Sequence, residues 1–363
     1  MEMLVEQLKK LSGKKVLVTG NTGFKGSWLC MYLHFLGAEV YGIALPAEDH
    51  GSLWNDFESR NYTKKNYYID INDRDALSHS IQEIQPEIVF HLAAQAIVAK
   101  GYSSPAETYQ TNIIGLVNLY DALLQSNSVQ VIVNVTSDKC YENKEWLWSY
   151  RENDELGGYD PYSTSKTCAE MISASYRKSF FEQRGIMLAT ARAGNVIGGG
   201  DWGQSRLLPD LARAFCANKT AVIRNPNSIR PWQHVLEPLT GYLLLAIKLL
   251  EGGKKFSSAF NFGPNTESSC SVKDLVDLFQ KAWSKETNVS IEINEQQIHE
   301  AGILLLDSSK AKKYLDWQPR WTLENAVMHT ANWYENFLHG DSMHQLCEEQ
   351  LLSYLSIKGS YHG

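Results

Sequence analysis

The feature that most constrains this chain is a glycine-rich turn near its beginning, between a β-branched run and a helical pattern. Residues 16–19, Val-Leu-Val-Thr, lead into Gly20, Gly23 and Gly26, and residues 27–36 then carry helical apolar spacing. Glycines at this spacing let the backbone turn sharply and approach a pyrophosphate, whose charge then lies at the positive end of the helix. The pattern predicts the first strand, turn and helix of a dinucleotide-binding sheet.

Further strands alternate with helices along the chain. Residues 39–44, 88–92 and 129–135 predict three strands, and residues 188–192 and 259–262 predict two late ones. Strands that alternate with helices form a parallel sheet with right-handed crossovers. The predicted fold is therefore α/β, a Rossmann-type doubly wound parallel sheet, whose ligands bind beyond the carboxyl ends of the strands.

A second, smaller lobe is predicted where the regular alternation stops. After Asn195 the residues 198–202, Gly-Gly-Gly-Asp-Trp, begin a loop without apolar periodicity, and mixed helix and strand patterns follow residue 264. The apolar run 239–250 is shorter than the roughly 20 residues that a membrane span needs, and it predicts a buried helix. We expect a dinucleotide-binding domain of residues 1–195 and 232–263, and a mixed α/β C-terminal substrate lobe of residues 196–231 and 264–363.

The turn supplies most of the predicted cofactor-binding residues, which are Gly20, Thr22, Gly23, Phe24, Lys25 and Gly26. Dinucleotide folds usually place an Asp or Glu about 20 residues further on, where it binds the ribose hydroxyls. Residues 42–46 read Gly-Ile-Ala-Leu-Pro instead, without an arginine for a 2′-phosphate, so these residues leave NAD and NADP both open. Asp70 and Ile71 are predicted to contact the adenine, and the alternative is that Asp70 caps the helix that follows.

The catalytic residues are predicted from two short patterns. Tyr162 and Lys166 stand four positions apart, which on a helix places both side chains on one face. An ammonium group beside a phenol stabilises the phenolate and makes it a usable base. Ser137, Asp138 and Lys139 follow the apolar strand that ends at the expected edge of the cleft. Ser137 is predicted to hydrogen-bond the hydroxyl that is oxidised, and Asp138 and Lys139 are left for separate proton transfers.

Charge and cysteine usage restrict the partners. The formal net charge of -7 leaves no basic surplus to displace counterions from a phosphate backbone, so nucleic acid is not expected. The six cysteines lack zinc or redox spacing and the histidines lack ligand spacing, so no metal is expected. The first 15 residues mix charges into an amphipathic pattern unlike a secretory signal, which predicts no membrane association and a cytoplasmic location.

Longer strings carry a resemblance to a known family. They are residues 20–28, Phe-His-Leu-Ala-Ala-Gln at 90–95, Thr-Ser-Asp-Lys-Cys-Tyr at 136–141, Tyr-Arg-Glu-Asn at 150–153, the string 192–202, Ile-Arg-Pro-Trp-Gln-His-Val at 229–235, His-Glu-Ala at 299–301 and Leu-Asp at 306–307. Together they resemble the extended short-chain dehydrogenase/reductase family, and within it the branch of hexose 4,6-dehydratases that act on CDP-glucose. The resemblance covers nearly the whole chain.

The resemblance implies bound NAD and a three-step reaction on CDP-glucose or a related nucleotide sugar. The cofactor takes hydride from C4 while Tyr162 accepts the hydroxyl proton, water leaves from C6 after loss of the C5 proton, and hydride returns to C6. Most relatives carry Asp-Glu at the position of Asp138 and Lys139, which implies Asp138 as the acid and Lys139 as the C5 base. A lysine is a base only when neutral, and this requires desolvation or a nearby positive charge such as Lys166.

The resemblance also implies which residues surround the two ligands. Ala93 and Ala94 are expected at the cofactor, and the expected substrate-binding residues are Gln95, Asn195, Arg206, Arg230 and His299. The guanidinium of Arg230 is expected on the diphosphate, for which it offers bidentate geometry. Ala96 and Ala99 depart from the branch, which tends to have Pro and Arg there.

Two alternatives stay open on the sequence. A 4-epimerase, or a 4,6-dehydratase for another nucleotide sugar, would keep Tyr162 and Lys166, but an epimerase needs no acid such as Asp138 for elimination at C6. A cofactor-binding protein without turnover would keep the fold, although an intact Ser137 argues against it. The resemblance further implies a homodimer or homotetramer that pairs through the helices around residues 111–124 and 162–180.

Overall fold

Strands and helices alternate through most of the chain in the computed structural model, which describes residues 2–47, 52–265, 269–291 and 302–356. The described strands are β1 (Lys15–Thr19), β2 (Glu39–Ala44), β3 (Lys65–Tyr68), β4 (Ile88–His91), β5 (Val131–Val135), β6 (Met187–Ala193), β7 (Val196–Ile197), β8 (Ala221–Ile223), β9 (Ile229–Pro231), β10 (Gln233–His234), β11 (Ala259–Phe262), β12 (Ser269–Ser271) and β13 (Val289–Ile291). The described α-helices are α1 (Glu2–Leu8), α2 (Phe24–Phe35), α3 (Leu53–Phe57), α4 (Arg74–Ile84), α5 (Val98–Ser103), α6 (Pro105–Tyr109), α7 (Gly115–Leu124), α8 (Pro161–Tyr176), α9 (Leu207–Cys216), α10 (Leu236–Gly252), α11 (Val272–Ala282), α12 (Ser309–Leu315), α13 (Leu323–Leu338) and α14 (Met343–Ser356).

The longest of these strands form one parallel sheet, in the spatial order β11-β6-β5-β4-β1-β2-β3. The strand order reverses at β1, which pairs with β2 on one side and β4 on the other. A doubly wound sheet opens a crevice at this switch point, beyond the carboxyl ends of its strands. The predicted fold class is therefore confirmed, and β2 and β11 have the bounds predicted from the sequence.

Separate hydrophobic clusters cover the two faces of the sheet. Along β1, Val16 and Val18 lie in the cluster that contains Trp28 of α2 and the apolar side of α10, whereas Leu17 lies in the cluster of α4, α7 and α8. A sheet that is buried on both faces needs apolar residues at successive positions. This explains why the strand signals in the sequence are continuous apolar runs, and the predicted buried helix at 239–250 is part of α10.

The short described strands pair as β7 with β10 and, in the smaller lobe, as β8 with β13 and β9 with β12. The pair β8 and β13 is parallel and the pair β9 and β12 is antiparallel, so the lobe is mixed α/β as predicted. The ring of Phe279 on α11 stacks on that of Phe215 on α9 at 5.9 Å. Within the described ranges, none of the helices combines the length and apolar character needed to cross a membrane.

A loop of three glycines, residues 198–200, joins the sheet to this lobe. The indole Nε1 of Trp28 donates a 3.0 Å hydrogen bond to the carbonyl oxygen of Gly199. A Cβ atom on Gly199 would lie 2.0 Å from Cγ of Trp333, and Gly200 has φ +78° with Leu53 against it. Only glycine fits between these side chains, so the three glycines fix the course of the segment that follows.

Replacement of Gly199 by alanine should lower the free energy of unfolding by about 3 kcal/mol, because the methyl group overlaps a buried indole ring. Urea unfolding followed by tryptophan fluorescence measures this loss. Gly185→Ala is the matched control: its φ is +72° but nothing lies within 4 Å of the new Cβ, so only backbone strain of about 1 kcal/mol is expected. Equal midpoints for Gly199→Ala and the unaltered protein would contradict the packing described.

Candidate active site

A cleft of about 2540 Å³ follows the carboxyl ends of the parallel strands and extends to the smaller lobe. Its walls include the turn between β1 and α2, the ends of β4 and β5, the start of α8 and parts of the segment 193–232. A site for one drug-sized ligand occupies roughly 300–1,000 Å³. The cleft therefore has room for a dinucleotide and a second nucleotide together.

The glycine-rich turn forms one end of the cleft. A Cβ atom on Gly20, which has φ +73°, would lie 2.7 Å from the backbone nitrogen of Ala93, and one on Gly26 would lie 2.1 Å from the Gly20 carbonyl oxygen. The absence of side chains lets the turn pack on β4 and leaves the start of α2, at Phe24, open to the cleft. This end fits a dinucleotide, because a pyrophosphate can approach the bare backbone at a helix N-terminus.

The ends of β2 and β3 form the part of the cleft beside this turn. The hydroxyl of Thr22 donates to the carbonyl oxygen of Leu45 at 2.9 Å and so ties the turn to β2. Asp70 Oδ1 accepts from the backbone and side-chain nitrogens of Asn72 at 2.9 and 3.0 Å, while Asp73 caps α4. Ile71 is 4% exposed and packs on α7. The Asp70 side chain therefore shapes the turn before α4 while it lines the cleft.

Tyr162 stands in the first turn of α8, which begins where the side chain of Asp160 accepts a hydrogen bond from the backbone of Ser163 at 3.0 Å. Burial raises the pKa of Tyr162 to about 12. A hydrogen bond with Ser137 lowers this pKa, whereas the charge of Asp138 raises it further. A phenol of this pKa becomes a base near neutral pH only when more positive charge is brought to it.

Lys166 lies on the same face of α8, with Nζ 6.0 Å from the centre of the Tyr162 ring. The ammonium group also donates to the carbonyl oxygen of Val135 at the end of β5, at 3.5 Å. Burial lowers the pKa of Lys166 to about 8, and the carboxylate of Glu170 opposes that effect. The structure thus brings the predicted Tyr and Lys together with the strand end that precedes Ser137.

Asp138 is presented to the cleft on a single helical turn, Asp138–Cys140, which the side chain of Ser137 caps. Ser137 Oγ accepts from the backbone nitrogen of Lys139 at 3.2 Å and donates to Asp138 Oδ1 at 3.0 Å. Asp138 is 2% exposed, and its Oδ2 has no hydrogen-bond partner within the described residues. Gly194 faces this oxygen, since a Cβ there would lie 3.2 Å from it. An unsatisfied buried carboxylate oxygen points to a group that enters the cleft.

Lys25 lies among the candidate catalytic groups, a position that the sequence did not reveal. Burial lowers the pKa of Lys25 to about 8, the positive charges of Arg206 and Lys166 lower it further, and Asp138 and Asp201 oppose them. The side chain is partly exposed to the cleft that all five residues line. The condition for a lysine base, desolvation and nearby positive charge, is therefore met at Lys25 and at Lys166. Lys139 is partly exposed on the turn that carries Asp138.

A buried ion pair lies beneath the turn Asp138–Cys140, and the sequence did not reveal it. Arg192 Nη2 donates to Glu170 Oε2 at 2.8 Å, and each side chain is 3% exposed. The hydroxyls of Thr136 and Thr190 donate to the same carboxylate. Because Glu170 follows Lys166 by one helical turn, these bonds fix α8 to the ends of β5 and β6. An acid four positions after a lysine is too common in helices to have been a usable signal.

Asn112 is a further residue whose place at the site the sequence did not reveal. Its Nδ2 donates to Ser165 Oγ at 2.9 Å and to the Gln95 carbonyl oxygen at 3.0 Å, and Ser165 Oγ donates to the carbonyl oxygen of Tyr162 at 2.6 Å. Gln95, predicted to bind substrate, is 8% exposed, and its Nε2 donates to Thr108 Oγ1 at 2.9 Å. The structure shows this amide shaping the loop after β4, and its substrate role stays a prediction.

The other predicted substrate residues lie where the cleft meets the smaller lobe. Asn195 is partly exposed, and Arg206, just before α9, contacts both carboxylate oxygens of Asp201 through Nη1 at 2.9 Å. Arg230 is 2% exposed and donates to two backbone carbonyl oxygens at 2.9 and 3.1 Å. His299 lies outside the described residues. In the part of the chain that is described, no group of three or more His, Cys, Asp or Glu side chains is placed to hold a metal ion.

The remaining predicted residues all line the cleft: Gly20, Thr22, Gly23, Phe24, Lys25, Gly26, Asp70, Ile71, Ala93, Ala94, Ser137, Asp138, Lys139, Tyr162 and Lys166. The strands and turns that carry them end at one edge of the sheet, as a parallel topology requires. The individual roles predicted for these residues stay predictions.

Comparison with known proteins finds matches along most of the chain. The family model described as GDP-mannose 4,6 dehydratase matches residues 17–330. The chain is 46% identical to a CDP-glucose 4,6-dehydratase of Salmonella typhimurium over 349 residues, which are 95% of this chain and 97% of the relative. Among solved structures, an epimerase of Methanothermobacter thermautotrophicus superposes with a TM-score of 0.80 at 20% identity, over 93% of this chain and 98% of the other. A dTDP-glucose 4,6-dehydratase of Bacillus anthracis in complex with NAD superposes with a TM-score of 0.72 at 22% identity, over 88% and 96%.

Replacement of Lys166 by methionine should raise the free energy of unfolding at pH 7 by about 2 to 3 kcal/mol, at about 1.4 kcal/mol per unit of pKa. The folded protein holds this lysine at a pKa of about 8, below the ordinary 10.5, so the native state disfavours its proton at neutral pH. The stability of the unaltered protein should therefore rise between pH 8 and 10.5, and that rise should be smaller in Lys166→Met.

Urea unfolding over that pH range measures the difference. Lys178→Met, at an exposed position that follows α8, is the control and should change stability by less than about 0.5 kcal/mol. A loss of stability in Lys166→Met at pH 7 would contradict the electrostatic description of the site.

Proposed function

The chain belongs to the GDP-mannose 4,6-dehydratase family, and from that premise and the geometry of the cleft we propose that it converts CDP-glucose to CDP-4-keto-6-deoxyglucose. The reaction is an NAD-dependent dehydration, and the protein is a hydro-lyase. The observation that carries this assignment is Asp138, a buried carboxylate with an unsatisfied oxygen that faces the same cleft as Tyr162 and Lys166. Oxidation and reduction at C4 alone would need no such acid.

The cofactor is NAD, which supplies the acceptor for hydride from C4 and the hydride that returns to C6. Gly20, Gly23 and Gly26 give the pyrophosphate access to bare backbone at the start of α2, and Thr22 holds this turn to β2. Ala93 and Ala94, after β4, have small side chains that leave the cleft open. Because one turnover returns the hydride it removed, tight retention of the cofactor between turnovers suits this chemistry.

Oxidation at C4 is assigned to Ser137, Tyr162 and Lys166. Ser137 is assigned to hydrogen-bond the oxygen of the C4 hydroxyl, and Tyr162 takes the proton of that hydroxyl. Burial holds the Tyr162 pKa at about 12, so the positive charges of Lys166 and Arg206 in the same cleft are needed to stabilise the phenolate. Asn112 fixes the first turn of α8 through Ser165 and thereby orients the phenol.

Elimination across C5 and C6 is assigned to Asp138 and Lys139. The C4 ketone acidifies the C5 proton, Lys139 removes that proton, and Asp138 donates a proton to the hydroxyl that leaves C6 as water. When hydride returns to C6, Lys139 gives a proton back to C5. The proton that Tyr162 gained from the C4 hydroxyl replaces the one that Asp138 lost, so the net change is the loss of one water. At the substrate's other end, Arg206 and Arg230 are assigned to the diphosphate, with Asn195 and Gln95 closer to the sugar.

The protein is further proposed to act in the cytoplasm as a homodimer or homotetramer. All six cysteines are free in the structure, which suits a reducing compartment. Ile114 beside α7, Met171 on α8 and Phe180 after it expose 44%, 61% and 46% of their surfaces, and a second subunit would cover them. The predicted division into a dinucleotide-binding domain and a substrate lobe assigns the two ligands to the two sides of the cleft.

The purified protein should release water from CDP-glucose in the presence of NAD and give a 4-keto-6-deoxy product, detected as the loss of one water by mass spectrometry. The same assay with UDP-, GDP- and dTDP-glucose should give at least about tenfold lower kcat/KM, the effect of about 1.4 kcal/mol of differential binding. A change of stereochemistry at C4 without loss of water would overturn the dehydration and indicate an epimerase. Equal rates with all four sugars would overturn the substrate assignment.

Asp138→Asn should lower the rate of water loss by about 10² to 10³, because the amide cannot donate the proton that the leaving hydroxyl needs. Oxidation at C4 needs no acid, so reduced cofactor should accumulate on the variant and show its absorbance after CDP-glucose is added. Asp75→Asn, at an exposed position on α4 outside the cleft, is the control and should turn over normally. Unchanged water loss in Asp138→Asn would remove Asp138 from the elimination step.

A further inference from the structure

Asp201 is a buried carboxylate that none of the reaction steps above uses. It is 4% exposed and follows the three glycines that lie between Trp28, Trp333 and Leu53. Its carbonyl oxygen accepts a hydrogen bond from the Tyr334 hydroxyl on α13. The backbone of Asp201 is therefore fixed from two sides, and its carboxylate has a defined place at the wall of the cleft.

The carboxylate of Asp201 holds one end of the Arg206 guanidinium. Nη1 of Arg206 lies 2.9 Å from each carboxylate oxygen, and the backbone nitrogen of Gly203 donates to Asp201 Oδ1 at 3.1 Å. Gly203 also leaves room for the arginine, since a Cβ there would lie 2.9 Å from Arg206 Cδ. Ser205 takes φ +58° to bring the chain to this arginine.

The rest of the Arg206 guanidinium stays available. Within the described residues Nε and Nη2 have no hydrogen-bond partner, and the side chain keeps 35% of its surface exposed, at the cleft. A guanidinium carries five N–H donors in a planar fork, and the edge formed by two of its nitrogens matches two phosphate oxygens. With Nη1 held by Asp201, the edge formed by Nε and Nη2 remains for a ligand.

The charges around Arg206 make this anchor necessary. Lys25 and Lys166 line the same cleft, and the positive charge of Arg206 lowers the pKa of Lys25. Without Asp201, repulsion from the two ammonium groups would favour rotation of the long side chain towards solvent. Asp201 offsets that repulsion at a fixed position, because the carboxylate itself cannot move with the arginine.

We infer that Asp201 is a positioning residue that holds the Arg206 guanidinium so that its free edge binds the diphosphate of the nucleotide sugar. The inference rests on the proposed function for the identity of the ligand. Asp201 does not touch the substrate, and its effect passes through Arg206.

The direction in which binding of the diphosphate changes when Asp201 is replaced distinguishes a positioning role of Asp201 from a purely electrostatic one. A carboxylate near a diphosphate repels it, so the removal of the Asp201 charge would by itself strengthen binding. If Asp201 positions Arg206, its removal weakens binding instead, since the fork loses its orientation. The direction of the change therefore distinguishes the two effects.

The experiment measures CDP binding by calorimetry to the full chain with NAD present, in Asp201→Asn, Arg206→Gln and the double variant. Each single variant should weaken CDP binding about tenfold, the range for loss of one charge-assisted hydrogen bond. The double variant should bind as weakly as Arg206→Gln alone, because Asp201 acts through the arginine. Tighter CDP binding in Asp201→Asn, or losses that multiply in the double variant, would overturn the inference.

Kinetics with CDP-glucose supply a second readout. In Asp201→Asn the KM for CDP-glucose should rise about tenfold while kcat stays within about threefold, the pattern for lost ground-state and transition-state binding alike. Asp201→Glu should recover part of the loss. A fall in kcat with an unchanged KM would contradict the positioning of a diphosphate ligand. CDP binding tests Asp201 even if the protein fails to dehydrate CDP-glucose, so the two failures are distinguishable.

Two further variants serve as a matched control and as a substitute if Asp201→Asn does not fold. Asp316 also pairs with a cationic side chain, Lys248, but it lies outside the cleft and its side chain is 76% exposed, so Asp316→Asn should leave CDP binding unchanged. If Asp201→Asn does not fold, Tyr334→Phe removes the hydrogen bond to the Asp201 carbonyl oxygen and should weaken CDP binding about threefold. Normal CDP binding in folded Tyr334→Phe would then count against the inference.

Discussion

The buried ion pair between Arg192 and Glu170 is the interaction on which the geometry of the candidate active site depends. Arg192 belongs to β6 and Glu170 to α8, and the hydroxyl of Thr136, after β5, donates to the same carboxylate. Three separate elements therefore meet at one carboxylate, directly beneath the turn that carries Asp138 and one helical turn from Lys166. Removal of one partner from a buried pair typically costs about 3–5 kcal/mol, because the other charge is left without compensation. This pair therefore helps to fix the candidate catalytic side chains Asp138 and Lys166 relative to each other.

The cleft carries local positive charge, although the net charge of the whole chain is negative. The protein carries a formal net charge of -7, yet its proposed ligands are both anionic. Lys25, Lys166 and Arg206 supply positive charge locally, and Asp138 and Asp201 balance part of it. Burial of two lysines lowers their pKa values to about 8, so each is easily made neutral near physiological pH. The crowding of positive charges that favours the neutral form of a lysine also repels the Arg206 guanidinium. The position of that guanidinium therefore depends on the fixed negative charge of Asp201.

The sequence predicted the fold and much of the site because those signals are local. The bounds of β2 and β11 follow from apolar runs, and the pairing of Tyr162 with Lys166 follows from helical spacing alone. The prediction was weaker where a polar side chain had to be assigned a direction. The amide of Gln95 is bonded to Thr108 within its own loop, and no spacing rule reveals this. Lys25 was assigned to the cofactor from its place in the turn, without any sign that it lies beside the catalytic charges.

The sequence by itself determined the parallel sheet and the glycine-rich turn at its switch point, because strand, turn and helix patterns depend on near neighbours in the chain. It supplied Asp138, Lys139, Tyr162 and Lys166 only as candidates for the proton transfers. Only the tertiary structure decided which of these groups share charge and hydrogen bonds. Trp28 and Gly199 stand 171 positions apart, and their contact helps to fix the loop that carries Asp201. Contacts of this kind arise from the packing of α2 and α13 around a glycine loop, and packing between distant segments leaves no period in the sequence. The cluster of Lys25, Asp201 and Arg206 is therefore a property of the folded chain, since the charges act through space and not along the backbone.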